Sequence, residues 1–418
     1  MRIVFWMSAS LLAWSYVAFP LVVLVRGRLR PRPYRTADVT PSVSIIIAAH
    51  DEAAVIAAKL NNLLAVDYPA ERLEIVVASD ASTDGTDGIV SGFANRGVRL
   101  LTLPRGGKAA ALEAAVAVAT GSVLVFTDAN SMFDRAAVRA LVRPFADRAV
   151  GGVAGNQVYL SDDDSSSSTG ERGHWGLDRV LKRAESAAGN VIAATGAIYA
   201  IRRELFRPIP SGVNDDFYES LSVIAAGARL VFAEDAVAYE PTSSSRSAEY
   251  RRKVRVLMRG LRCAVSVPAL FDPRRVGFYA LQLGSHKVLM RTMAVPLVAM
   301  AASAPMLWRR GPIYRLATAG QAVAYALAAM GLVGGRHRLF RARPFALAAH
   351  FCLVQAASLE ASIRVLRGDR VDRWTPERAG AEPPAPDAAV DAEPVSTNAA
   401  AVDRDAAVAE IAAVAART

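Results

Sequence analysis

Three short apolar runs, each closing on acidic residues, constrain this chain more than anything else in it. SVSIIIAAHDE ends on Asp51 and Glu52, LEIVVASDASTD on Asp80 and Asp84, and SVLVFTDAN carries Asp128. Runs of this length are too short for helices and too continuously apolar for half-exposed strands, so they predict parallel strands covered on both faces. After the first, Val55, Ile56, Leu60, Leu63 and Leu64 recur at helical spacing; VRLLTLP reads as another strand, and an Ala-rich helix from Lys108 to Thr120 stops at Gly121. Repeated strand-helix-strand order predicts an α/β domain with a mostly parallel sheet and right-handed crossovers. Such a sheet delivers chemistry to the carboxyl ends of its strands, where these acids stand.

The rest of the chain points to a membrane. Of 418 residues, 53% are hydrophobic and 21% charged. Residues 3–25 carry no charge and exceed the roughly 20 residues a spanning helix needs. Arg26, Arg28, Arg30, Arg32 and Arg35 follow, against Arg2 alone before, which by the positive-inside rule puts the following segment in the cytoplasm. The net charge of +10 is read as membrane-surface charge, with no nucleic-acid partner. Cys263 and Cys352 are the only cysteines, which excludes a disulfide framework or a zinc site.

The expected organisation is an N-terminal transmembrane anchor (1–26), a cytoplasmic catalytic domain (40–248), an amphipathic interfacial helix (249–275), a C-terminal membrane region (286–365) and a disordered tail (375–418). Within the domain, 161–170 reads as a polar loop, 216–226 as a helix, and ARLVFAEDAVAYEP as two short strands around Glu234-Asp235. The interfacial helix sets Arg252, Arg255, Arg259 and Arg262 on one face and Val254, Leu257, Met258 and Leu261 on the other. Beyond it, stretches near 288–308 and 313–334 read as spans. The third, 344–363, carries His350, Gln355 and Glu360, each costly in lipid, so it packs inside a bundle or is re-entrant.

Taken singly, the polar residues of the domain have bland readings: Ser82, Thr83 and Asp84 as turn formers, Asn214-Asp215-Asp216 as a helix cap. Together they suggest more. Clustered acids repel unless a cation or ligand donors join them, and a divalent metal on a diphosphate meets that need. Gly106-Gly107-Lys108 opens a helix, where exposed amides and a lysine suit phosphate. A carboxylate at Asp216 could take a proton from an acceptor hydroxyl.

In these motifs the chain resembles the membrane-bound family-2 glycosyltransferases, the group of cellulose, chitin and hyaluronan synthases. The likeness runs from about Ser42 to Gly260. His50-Asp51-Glu52 resembles the family's strand-end Asn-Glu. Asp80-Ala81-Ser82-Thr83-Asp84 is similar to its nucleotide-gripping Asp-x-Ser-x-Asp, and Gly107-Lys108 through Ala111-Leu112 to its diphosphate-side segment. Asp128-Ala129-Asn130 falls on the D-x-D metal motif with Asn130 in place of the second Asp. Asp215-Asp216 falls on the Glu-Asp base motif, and Thr195-Gly196 on the acceptor-side loop. The Q-x-x-R-W motif of processive synthases appears as Arg252-Lys253-Val254-Arg255-Val256, without its Trp.

The resemblance implies a nucleotide-diphospho-sugar transferase (GT-A type) fold flanked by transmembrane helices. It implies an inverting glycosyltransferase, with Asp216 as catalytic base and Asp51, Glu52, Asp80, Asp84, Lys108 and Asp128 on the donor. Asp128 and Asn130 would hold Mg2+ or Mn2+, and Thr195, Gly196, Asp215, Arg252 and Arg255 would serve the acceptor and diphosphate. The donor would be a nucleotide sugar such as a UDP-sugar, the acceptor lipid-linked or a glycan, and the location the inner (plasma) membrane. A processive synthase with export and a non-catalytic nucleotide-binding scaffold are the alternatives.

Overall fold

The computed structural model describes residues 1–160, 166–241, 246–333, 340 and 342–369. β1 (Val43–Ala49), β2 (Leu73–Asp80), β3 (Val98–Leu103), β4 (Val123–Phe126), β5 (Met132–Phe133), β6 (Val150–Leu160), β7 (Tyr199–Arg202) and β8 (Arg229–Pro241) form one sheet. Its order is β3-β2-β1-β4-β7-β6-β8-β5. The pairs β1/β2, β1/β4, β2/β3 and β6/β8 are parallel, while β7 runs antiparallel to β4 and β6, and β5 antiparallel to β8. β1 has β2 on one side and β4 on the other, so strand order reverses there. A crevice therefore opens at the carboxyl ends of β1 and β4.

Every residue of β1 is buried. Val43, Ile45, Ile47 and Ala49 join one apolar cluster, Ile46 and Ala48 the other, which is why the run shows no polar alternation. Gly121 lets β4 enter close beside β1, since a Cβ there would lie 2.5 Å from the Ser44 amide.

Two expectations are corrected. ARLVFAEDAVAYEP forms one strand, not two: β8 pairs with β6 throughout, and the pairing jumps from Phe232 to Val237, so that Glu234-Asp235 ride in a bulge. Of the polar loop placed at 161–170, residues 161–165 lie outside the described residues, and a helix begins at Ser166 and runs to Ala188. Its buried face includes Lys182, Glu185 and Ser186, so hydrophobic periodicity could not reveal it. Lys182 pairs with Asp178 at 2.9 Å, Glu185 accepts from the Ile192 amide at 3.0 Å, and Ser186 Oγ accepts from the Phe232 amide at 3.0 Å.

Among the described residues three helices are long and apolar enough to cross a membrane: Arg2–Leu29, Pro312–Val333 and Arg343–Leu366. The helices Phe278–Thr292 and Ala294–Met306 form a pair bent by 55°, a broken span or a re-entrant loop. The irregularity thus falls in the first of the three C-terminal stretches, while 344–363 lies within a continuous helix. Its polar residues meet protein: Gln355 donates to the Tyr16 hydroxyl at 3.0 Å, Tyr250 donates to Glu360 Oε2 at 2.6 Å, and His350 Nδ1 lies 3.6 Å from Glu249. That is the bundle-packed alternative. The helix Arg246–Ser266 turns Val254 and Met258 onto Ala357 and Ala361 of this last helix, so much of its apolar face is covered by protein. The expected tail, 375–418, lies outside the described residues.

The membrane segments dock onto the domain by polar contacts as well. Tyr279 donates to the Ile192 carbonyl at 2.8 Å and Gln282 to the Asn190 carbonyl at 3.1 Å, while Trp14 ties the first helix to the bent segment by donating to Ser285 Oγ at 3.0 Å.

Candidate active site

The turns after β1 and β2 are stitched together by the acids that the sequence singles out. Asp51 takes a positive φ of 52°, a conformation its short polar side chain tolerates. Its carboxylate accepts from the Thr83 amide at 2.7 Å, and its own amide donates to Ser82 Oγ at 3.1 Å. Asp84 reaches back to the Ala53 amide at 2.8 Å and holds the Thr86 amide at 3.0 Å. Glu52 is buried, with its amide donating to Thr86 Oγ1 at 2.9 Å.

Asp80, also buried, turns onto the loop after β3. It accepts from the amides of Gly106 at 2.6 Å and Gly107 at 3.0 Å, and pairs with Arg105. The two glycine amides that the sequence suggested for phosphate are therefore taken by Asp80 in this structure.

Lys108 is the centre of the site. Its Nζ lies 2.9 Å from Asp128 Oδ1 and 2.9 Å from Asp215 Oδ2, joining the end of β4 to the start of the helix Asp215–Ala225. Burial works against its charge, but the two carboxylates outweigh it and raise its pKa above the ordinary lysine range. Beside this bridge, burial pushes the Asp216 carboxyl up to about 6, with Asp215 adding and Lys108 opposing. One turn further on, Glu219 is fully buried beside the Tyr199 hydroxyl, and burial holds it well above the usual carboxylate range.

Around Asp128 the structure gathers groups from distant parts of the chain. Gly196 lies against it, where a Cβ would sit 3.0 Å from Asp128 Oδ2. The neighbouring Thr195 Oγ1 is buried without a hydrogen-bonding partner. Asn130 donates its amide to Glu240 Oε1 at 3.1 Å, and Gln157 donates to Glu240 Oε2. Burial and the charge of Asp128 raise the Glu240 carboxyl, against the pull of Arg252. Arg255 lies one turn along the same helix, which is tied to the base motif by Asn214 donating to the Val256 carbonyl at 3.2 Å.

Sequence reasoning missed two residues here. Lys59, fully buried, supports the 127–131 turn from below: its Nζ donates to Thr127 Oγ1 at 2.9 Å and to the Ser131 carbonyl, 4.1 Å from the Phe133 ring centroid. Burial brings it down to about 7, opposed by Asp128 and Glu240. Its signal was present, since Lys59 falls within the apolar stripe of Ile56, Leu60 and Leu63. Glu240 follows the same rule as Asp128, an acid near the end of a strand.

Among the described residues no group of three or more His, Cys, Asp or Glu is arranged to hold a metal ion. That does not disqualify a metal carried on a substrate, because Mg2+ commonly takes one or two protein carboxylates and completes its shell with phosphate oxygens and water. Asp128 remains 35% exposed, and Asn130 turns its amide nitrogen to Glu240 while keeping a neutral oxygen two residues from Asp128, so the donor set fits an ion of that kind.

A mostly parallel sheet with its reversal at β1, an acid-lined crevice there, and a lysine joining its two sides define a GT-A-like α/β glycosyltransferase fold. Residues 44–209 match the profile of Glycosyl transferase family 2, and the chain carries a domain of that family. It is 28% identical over 182 residues to the beta-monoglucosyldiacylglycerol synthase of Nostoc sp., covering 42% of this chain and 39% of that one. It is 23% identical over 202 residues to the poly-beta-1,6-N-acetyl-D-glucosamine synthase of Staphylococcus aureus, 48% of each chain. The chain thus spans less than half the length of these curated relatives. Among solved structures, the mannosyltransferase PcManGT from Pyrobaculum calidifontis, in complex with GDP-Man and Mn2+, aligns with a TM-score of 0.68 at 25% identity. That alignment covers 88% of this chain and all of the other.

Proposed function

We propose that the protein is an inverting glycosyltransferase that moves a sugar from a nucleotide diphosphate sugar, a UDP-sugar in the first instance, to a lipid-linked or glycan acceptor. The observation that carries this reading is the Lys108 bridge between Asp128 and Asp215, because it sets a donor-side carboxylate on one flank of a cation and, on the other, the residue next to the proposed base Asp216. In the reaction the acceptor oxygen bonds to the anomeric carbon from the face opposite the diphosphate. Its proton passes to Asp216, and the bond from that carbon to the diphosphate oxygen breaks, the electron pair leaving with the diphosphate. A carboxyl raised to about 6 is still ionised at neutral pH and is a stronger base than an ordinary aspartate. Lys108 and Arg255 would offset the charge that develops on the leaving group. Asp128, with Asn130, would hold Mg2+ or Mn2+, and the ion when bound would neutralise the diphosphate.

The domain would face the cytoplasm from a multi-pass position in the inner (plasma) membrane, which the arginines after the first span support. Val256 stands where processive synthases carry Trp, which favours single transfer. The test is a panel of UDP- and GDP-sugars offered to native membranes with Mg2+, with Mn2+, and with chelator. Metal-dependent transfer from one donor is expected. A well-folded protein that neither transfers nor hydrolyses any donor would sink the reading.

A further inference from the structure

Two cations reach the base motif from the membrane side. The bent segment Phe278–Thr292 brings Lys287 Nζ to 5.2 Å and the Arg291 guanidinium to 5.4 Å from the centroid of the Phe217 ring. Phe217 follows Asp216 and donates its amide to Asp216 Oδ1 at 2.7 Å, so both cations stand against the proposed base, and both interact electrostatically with it.

Neither cation is matched from within. Among the described residues neither side chain makes a hydrogen bond or an ion pair, and Arg291 Nη1 is buried without a partner. Of the carboxylates nearby, Asp216 interacts with both cations at a distance without an ion pair to either, and the others are committed elsewhere: Glu185 to His286 at 3.0 Å and to the Ile192 amide, Asp178 to Lys182, and Asp215 to Lys108. Two like charges against one ring repel each other, and a buried unpaired charge is costly, so the arrangement calls for an anion from outside. The backbone is shaped to hold it. The segment leaves α-helical geometry as a π-type turn at Leu283–Val288 and a tighter turn at Leu289–Thr292, Ser358 anchors the Arg291 carbonyl, and Gly260 leaves the space that Arg291 Nη1 fills.

We propose that Lys287 and Arg291 seat the phosphate group of a membrane-lipid acceptor, holding its hydroxyl-bearing part against Asp216. The seat adjoins the apolar helix Ala294–Met306, on which Val295, Val298 and Met306 are exposed, so its occupant would arrive from the bilayer and not from solution. The proposal rests on the glycosyltransferase reading and names its acceptor class. It separates this chain from an enzyme acting on a neutral glycerolipid.

The test uses the full chain in detergent micelles without sugar nucleotide, offered dioleoylphosphatidic acid and dioleoylglycerol, which differ only by the phosphate. Retained lipid is counted by native mass spectrometry. Wild type should prefer the phosphorylated lipid by about 10-fold or more, the scale of one lost charge-assisted contact. Lys287→Gln with Arg291→Gln should abolish the preference, while Lys287→Arg with Arg291→Lys should preserve it. Arg274→Gln with Arg275→Gln, which removes two exposed arginines of the same region, should leave it unchanged. The proposal is overturned by an unchanged preference in the double glutamine variant, by equal loss in the exposed-arginine variant, or by full displacement with inorganic phosphate alone. It is also overturned if the glutamine variant instead loses nucleotide diphosphate binding, which would assign the cations to the donor. Because no donor is present, failure here leaves the transfer reaction untouched, and absent transfer leaves lipid retention readable.

Discussion

Asp216 differs from its neighbour Asp215 in what surrounds it, not in its chemistry. Asp215 meets Lys108 at 2.9 Å, whereas Asp216 is pushed up to about 6 by burial and by Asp215 itself. Since the base must be ionised to accept a proton, kcat/KM should fall as pH drops through about 6, well above the usual aspartate range. Asp216→Asn should lose about 10²–10⁴-fold in turnover, retain donor binding and abolish that acid limb. The stability consequence has the opposite sign. A carboxyl raised in the folded state is penalised when ionised; the penalty is absent below the unfolded pKa, grows as pH rises, and is complete above about 6. Asp216→Asn should therefore stabilise the fold at pH 8 by on the order of 1–2 kcal/mol after allowing for partial solvent contact, read as a higher melting temperature, and match wild type near pH 4. A variant no more stable at pH 8 than wild type would contradict the raised pKa.

At the scale of elements, the strands and the helices that follow them were legible because their periodicity is driven by apolar burial. β1, β2 and β4 announce themselves, and so does the stripe of Ile56, Leu60 and Leu63. The helix Ser166–Ala188 does not, because part of its buried face is polar and satisfied by partners more distant in sequence. The contact between the helices Arg246–Ser266 and Arg343–Leu366 was also invisible. It depends on Ala357 and Ala361, both fully buried, which let Val254 and Met258 approach. Ala361→Leu should overpack this seam and cost about 1–3 kcal/mol, read as a lower melting temperature in detergent. Leu366→Ala, at a residue 88% exposed in this structure, should leave the melting temperature within error.

For the whole molecule, the membrane helices are extensions of the catalytic domain. Tyr279 and Gln282 bond to backbone of the 190–192 loop, and the same bent segment sets Lys287 and Arg291 against the Phe217 ring, next to Asp216. The protein should stay in the membrane pellet after an alkaline carbonate wash. Protease should cut the 40–248 domain in inverted vesicles and spare it in right-side-out vesicles. Cleavage of the domain in the right-side-out preparation would reverse the topology drawn from Arg26 to Arg35.

The sequence by itself determined the α/β class, the acids at the strand ends, the long apolar first helix and the family resemblance, because each is written in local spacing: period two, period 3.6, length and charge. Only the tertiary structure decided what those acids do. It turned Asp80 onto the glycine amides, bridged Asp128 to Asp215 through Lys108, put Lys59 and Glu240 beside the metal motif, and set two unpaired cations against Asp216. These are contacts between residues far apart in the chain. Their partners follow from sheet order and helix packing, which local spacing does not encode.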